Sequence, residues 1–124
     1  MAQESLYKRL GSYDIIAAIT DDFLARLIAH EKMRRFFFGA SESTRKRRRQ
    51  HIVDFLCFKT GGPCIYTGRT MVDSHKGLGI SEEDWNILIE LFLKSLAIYD
   101  LTQESSEELM KLIATFKDDI VEVS

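Results

Sequence analysis

The side chains able to do chemistry in this chain are few. It has three histidines (His30, His51, His75), two cysteines (Cys57, Cys64) and one tryptophan. An imidazole can ligate a metal, move a proton or sit hydrogen-bonded in a core, and its surroundings decide which. His30 stands in Ala29-His30-Glu31-Lys32, a polar helix end, and reads as a solvated residue that favours the helix C-terminus. His51 precedes Ile52 on the apolar side of a helical pattern. His75 follows Met71 by four residues, on the one short helical pattern inside a long irregular stretch. A lone histidine on an apolar face is ordinarily a hydrogen-bonded core residue. Two of them beside Phe23, Phe36, Phe37, Phe55 and Phe58 suit a different arrangement, an imidazole facing a flat, aromatic-lined cavity. The cysteines make no zinc motif and no Cys-x-x-Cys-His attachment site. The expectation for them is two buried or half-buried thiols in a reducing cytosol.

Four long stretches with apolar residues at helical spacing must position these groups. Ile16, Ile19, Phe23 and Leu27 form the first, with Asp14 as its expected cap. In the second, Arg48, Ile52, Phe55 and Lys59 share a face with His51 and Leu56. The third runs through Trp85, Leu88, Ile89, Phe92, Leu96 and Tyr99, and Ser81 with Asp84 resembles a capping box. Leu109, Leu112, Ile113, Phe116 and Ile120 make the fourth, capped by Thr102 or Ser105. Gly11-Ser12 separates a short first helix (about residues 4–10) from the first of the long ones. No stretch alternates with period two long enough for a strand, so the spacing predicts an all-α protein. Gly61-Gly62-Pro63 opens a stretch to residue 80 with room for only one short helix, Met71 to Lys76, closed by Gly77 and Gly79. Ordered loops of that length in a small helical domain tend to be functional.

At 124 residues, 45% hydrophobic and 29% charged, the composition is that of one globular domain, 1–124. No apolar run reaches the roughly 20 residues of a membrane span. The start, Met-Ala-Gln-Glu-Ser, lacks the order of a signal peptide, which leads to an expected cytoplasmic location. Net charge is −2, but its parts are separated: residues 32–49 hold eight of the 17 basic residues, and the region after Tyr99 is acidic. The run Arg45-Lys46-Arg47-Arg48-Arg49 could in principle meet a phosphate backbone. On a helix, however, five consecutive residues spread over all faces, and a nucleic-acid partner is not expected.

At the residues around His75 the chain resembles the group 1 truncated haemoglobins. Ser5-Leu6-Tyr7-Lys8-Arg9-Leu10-Gly11 is similar to that family's Leu-Tyr-x-x-Leu-Gly-Gly start. Asp21-Asp22-Phe23 with Leu27 resembles its second helix, and Arg35-Phe36-Phe37 its Phe-Phe corner. The most specific match is Gly61-Gly62-Pro63-x-x-Tyr66-Thr67-Gly68-Arg69-x-Met71-x-x-x-His75, with Gly79-Ile80-Ser81-Glu82 after it. Over about residues 5–122, the resemblance implies a truncated globin, a two-over-two helical sandwich holding haem b non-covalently. It implies His75 as the proximal iron ligand, presented by the loop that carries Tyr66. Apolar contacts to the ring would come from Met71, Leu78 and Ile80, with Phe36 and Phe37 at the corner. Phe23, Ile52, Phe55, Trp85, Leu88 and Ile89 would line the pocket, and Arg48, Lys59 and Arg69 could reach the propionates.

The distal positions depart from the family pattern. Many members carry a tyrosine directly after the helix phenylalanine and a glutamine or similar donor on the facing helix, which stabilise a partly anionic ligand. Here those positions read Leu24 and Ile52. The remaining polar groups, Arg48 and His51, come after an apparent short insertion at residues 39–46. Either His51 is a sixth iron ligand, or His51 or Arg48 reaches a propionate or the pocket mouth. The resemblance implies binding of O2, CO and NO. A redox or nitric-oxide-dioxygenating role is the alternative, and it would need a separate reductase because no flavin or nicotinamide motif is present. A haem-free nucleic-acid module acting through Arg45–Arg49 would leave the long loop and His75 without a purpose.

Overall fold

The computed structural model describes residues 4–123, and among them the regular elements are all helices. Helix α1 (Leu6–Leu10) starts at Ser5, whose hydroxyl accepts from the Lys8 N–H, and stops at Gly11. Gly11 takes φ +110°, a left-handed conformation that an L side chain resists, and the same residue begins α2 (Ser12–Ala29). The expected cap at Asp14 is therefore corrected. The cap lies three residues earlier, at Gly11, and Asp14 lies in the first turn, where a carboxylate faces the positive helix end.

A short 3-10 helix (Arg34–Phe37) leads to α3 (Glu42–Lys59), capped by Ser41 through the Thr44 N–H. Helix α4 (Met71–His75) is capped by Thr70. Helix α5 (Glu82–Leu96) carries the capping box expected at Ser81 and Asp84, and Thr102 caps α6 (Gln103–Ala114). The expected run through Phe116 and Ile120 is broken. The Thr115 hydroxyl donates to the Leu112 carbonyl (2.6 Å), and the Thr115 and Phe116 N–H groups turn to carbonyls three residues back. That tightening ends the ladder, and α7 (Lys117–Ile120) starts anew.

Helix α2 is the hub. Its Ile19, Phe23 and Leu27 pack with Leu91, Phe92 and Leu96 of α5, Leu109 of α6, and Leu6 and Leu10 of α1. Its Ile16 and Ala17 meet Val53 and Leu56 of α3. Helices α2 and α3 thus form one layer and α5 and α6 the other, the two-over-two arrangement. Leu56 does not share the exposure of His51 and Phe55 as its spacing suggested; it turns with Val53 into α2. A third cluster, Ile80, Trp85 and Ile120, joins the ends of α4, α5 and α7. The terminal segment is stitched to the same place: Glu122 and Val123 N–H donate to the Ile80 carbonyl at 2.8 and 3.2 Å, and Glu82 N–H donates to Val123 O at 2.9 Å.

Candidate functional site

His75 ends α4, and its ring is half-buried. Its Nδ1 lies 2.9 Å from the Met71 carbonyl oxygen and 2.9 Å from Ser74 Oγ. A carbonyl only accepts, so Nδ1 carries the ring proton and Nε2 is left as a lone pair. This is the tautomer and orientation that an outer hydrogen bond imposes on a metal-ligating imidazole. Among the described residues nothing bonds to Nε2. Downstream, Gly77 and Gly79 have positive φ, and their N–H groups converge on the Glu122 carboxylate at 3.0 and 2.9 Å. These backbone donors hold the Glu122 carboxyl below the usual carboxylate range. The segment after His75 is thereby fixed from the far end of the chain. Glu122 was not identified in the sequence; its only signal is a carboxylate 43 residues beyond a Gly-x-Gly pair.

The opposite group of side chains comes from α3 and the long loop. Tyr66 packs edge-on against His51 (6.1 Å between ring centres) and Phe55 (5.1 Å), and Phe55 meets Phe116 at 5.1 Å. The Tyr66 hydroxyl donates to the Arg69 carbonyl at 2.5 Å, and burial pushes its phenol up against the opposing pull of the Arg69 charge. His51 has no hydrogen-bond partner among the described residues and is half-buried. Lys59 stands 5.8 Å from the ring centres of both Phe55 and Phe116. Phe116, which the sequence placed only within a helical run, belongs to this wall.

Other expected site residues fall around these two groups. Met71, Leu88 and Ile89 are half-buried about Ile80 and Trp85, which are themselves buried. Phe36 touches both this cluster and the main core, with the Arg35 guanidinium 4.2 Å above its ring; Phe37 and Leu24 lie at the edge of the main core. Ile52 borders the α2–α3 contact. Arg35 also donates to Asp84 Oδ2 (2.6 Å), tying the corner to the start of α5. Burial pushes Asp84 up, but hydrogen bonds from the Ser81 backbone and from Arg35 outweigh it and hold the carboxyl low. Phe23 is turned from this region into the core, edge-to-face on Phe92 at 5.1 Å. Leu78, Arg48 and Arg69 are exposed, and neither arginine makes an ion pair among the described residues.

The basic run does not form one charged face. Arg49 is bidentate on Asp21 (2.8 and 2.9 Å), and Lys46 pairs with Glu42 at 3.3 Å. Arg45, Lys46 and Arg49 line an open cleft of about 530 Å³ with Asp21, Leu24 and Gln50. The cysteines depart from expectation more sharply. Cys57 and Cys64 are not thiols but a disulfide, with Cα atoms 5.7 Å apart. Gly62 explains the approach: its N–H bonds the Cys57 carbonyl at 2.8 Å, turning the loop back on the end of α3.

The site therefore offers the His75 Nε2 lone pair, and the unbonded His51 ring, among apolar side chains that stay half-buried. Among the described residues no group of three or more His, Cys, Asp or Glu could hold a bare metal ion. A metal ligated by His75 would have to bring most of its ligands with it, inside a flat apolar ring that covers Phe36, Phe55, Met71 and Leu88. The residues fit such a group. A family model described as bacterial-like globin matches residues 5–122. The group 1 truncated hemoglobin GlbN of Mycolicibacterium paratuberculosis is 27% identical over 116 residues, 94% of this chain and 83% of that protein. The crystal structure of truncated hemoglobin from Tetrahymena pyriformis in the Fe(III) form superposes with a TM-score of 0.86 at 24% identity, over 95% of this chain and 98% of that one. The 2/2 hemoglobin from Synechococcus, in the cyanomet state with covalently attached heme, gives 0.85 at 22% identity, with the same coverage.

Proposed function

The chain belongs to the bacterial-like globin family, and from that premise we propose that it is a haem b protein that binds O2, CO and NO at an iron held by His75. The observation that carries this reading is the His75 ring, whose Nδ1 proton is committed to the Met71 carbonyl so that Nε2 is free to ligate. Haem, when bound, supplies the metal centre for diatomic ligands. The protein's part is to orient and to exclude water. Met71 and Ser74 set the His75 ring, and Glu122 fixes the turn behind it. Phe36, Phe55, Met71 and Leu88 cover the ring, and the uncommitted cations Arg48 and Arg69 serve the propionates. Among the described residues no helix is long and apolar enough to cross a membrane.

His51 is the one imidazole on the other wall without a hydrogen-bond partner, and this favours it as the sixth ligand. External ligands then bind in proportion to the fraction of molecules in which His51 has swung away. A redox or nitric-oxide-dioxygenating role would use the same site with electrons from a separate reductase. Absorption spectra of the purified chain reconstituted with haem test both levels. The expected result is a Soret band that His75→Ala abolishes while far-ultraviolet dichroism keeps its helical signal. A low-spin ferric spectrum that becomes high-spin in His51→Ala supports sixth-site ligation. A high-spin spectrum in the unaltered protein removes it, and absence of any Soret band overturns the haem reading.

A further inference from the structure

We propose that Cys57 and Cys64 are a redox-active pair, opened at Cys64 by a dithiol reductant, and that their state fixes whether Tyr66 lies against His51 and Phe55. Cys57 is fully buried near the end of α3, whereas Cys64 is half-buried in the loop. The incoming thiolate therefore attacks Cys64, the more exposed of the two residues. That thiolate bonds to Cys64 Sγ, and the disulfide electron pair leaves on Cys57 Sγ, which takes a proton. The reductant's second thiolate then attacks its own sulfur in the mixed disulfide, and Cys64 departs and is protonated. Two electrons and two protons pass from the reductant, which ends as a disulfide, to the pair, which ends as two thiols.

What the bond holds is unusually dependent on it. Residues 63–69 make no backbone–backbone hydrogen bond to any other element among the described residues. Their covalent tie to α3 is the disulfide, and two residues later Tyr66 lays its ring on His51 and Phe55. Beyond Arg69 the same segment runs directly into α4 and His75. With the bond cut, no covalent cross-link or backbone hydrogen bond among the described residues ties residues 63–69 to the helices, so the loop opens locally while the helical layers stay intact. In a reducing compartment a disulfide of this kind is a switch rather than a staple. The further link to ligand access beside His51 rests on the haem reading above.

The test uses the native chain, dithiothreitol without denaturant, then iodoacetamide and mass measurement. Two alkyl groups are expected after reduction and none before, since the oxidised chain has no free cysteine among the described residues. Trypsin should cut after Arg69 about tenfold faster in the reduced chain, a measure of local opening. Tyr66→Ala should bring the oxidised chain towards that faster rate. Brief exposure to glutathione, a monothiol that cannot resolve its own mixed disulfide, should place the glutathione on Cys64, a readout that needs no variant to fold. Thiols freed only in denaturant, a mixed disulfide found on Cys57, or unchanged cleavage after complete reduction would each overturn the proposal. With haem loaded, CO association should differ between the two forms, and equal rates overturn the coupling to the cleft. A chain that takes up no haem sinks the function reading but leaves the alkylation and cleavage results to judge the switch.

Discussion

Leu24 and Ile52 stand where the resemblance to group 1 truncated haemoglobins implies two hydrogen-bond donors, and both side chains are half-buried. Leu24 lies at the edge of the main core, directly after Phe23, which is turned into that core against Phe92. A tyrosine at position 24 would put a larger ring at that edge and carry a hydroxyl donor beyond it. A hydrogen bond to a charged or partly charged acceptor contributes about 1.5–3 kcal/mol. Leu24→Tyr in the haem-loaded protein should therefore slow O2 release by about tenfold or more, because each 1.4 kcal/mol is a factor of about ten. Stopped-flow displacement of O2 by CO reads that rate directly. An unchanged rate would show that position 24 does not face the ligand.

The elements were legible where their causes are local, and the pattern breaks where they are not. Ser81 and Asp84 announce α5 because both halves of a capping box sit three residues apart, whereas α6 is capped by Thr102 alone, one of the two candidates its spacing offered. Helical spacing located α2, α3 and the short α4 with His75 on it. It could not show which face of α3 meets α2, since Val53, Leu56, His51 and Phe55 are all apolar enough to be buried. Nor could it show that Phe116 leaves its helix to join Phe55, that Glu122 holds Gly77 and Gly79, or that Cys64 reaches Cys57. Those are contacts between elements, and the last depends on one glycine. A Cβ at Gly62 would stand 2.5 Å from Tyr7 Cδ1 and 2.7 Å from Cys57 Sγ, neither of them the end of a flexible chain. Gly62→Ala should consequently lower stability by about 1–3 kcal/mol, the usual cost of forcing atoms into a closed site. Thermal unfolding of the oxidised protein measures this, and an unaltered midpoint would mean that the loop does not approach α3 so closely.

Across the whole molecule, carboxylates join elements to one another. Ser95 in α5 and Arg26 both donate to Asp22 Oδ2 in α2, at 2.6 and 2.7 Å. Asp84 receives Arg35 from the 3-10 helix, Glu82 receives Lys117 from α7 at 2.7 Å, and Glu122 receives the turn after His75. The Ser95 and Arg26 hydrogen bonds hold Asp22 below its ordinary value, and the Lys117 bond does the same for Glu82. Asp84 and Glu122 are also held low. All four therefore bind protons less readily folded than unfolded. Their contribution to stability is complete above the unfolded-state value and is lost as the pH falls through the folded one. The midpoint of urea unfolding should stay level near neutrality as far as these carboxylates are concerned, then fall steeply below about pH 4. The variant Asp22→Asn with Asp84→Asn should start lower at neutral pH, because two links are weakened, and decline less in acid, because two of the proton-binding sites are gone. The two curves should converge near pH 3, at the acid end of the carboxylate range. Parallel curves would show instead that the acid sensitivity lies outside these links, and that the layers are held by α2 and its apolar contacts alone.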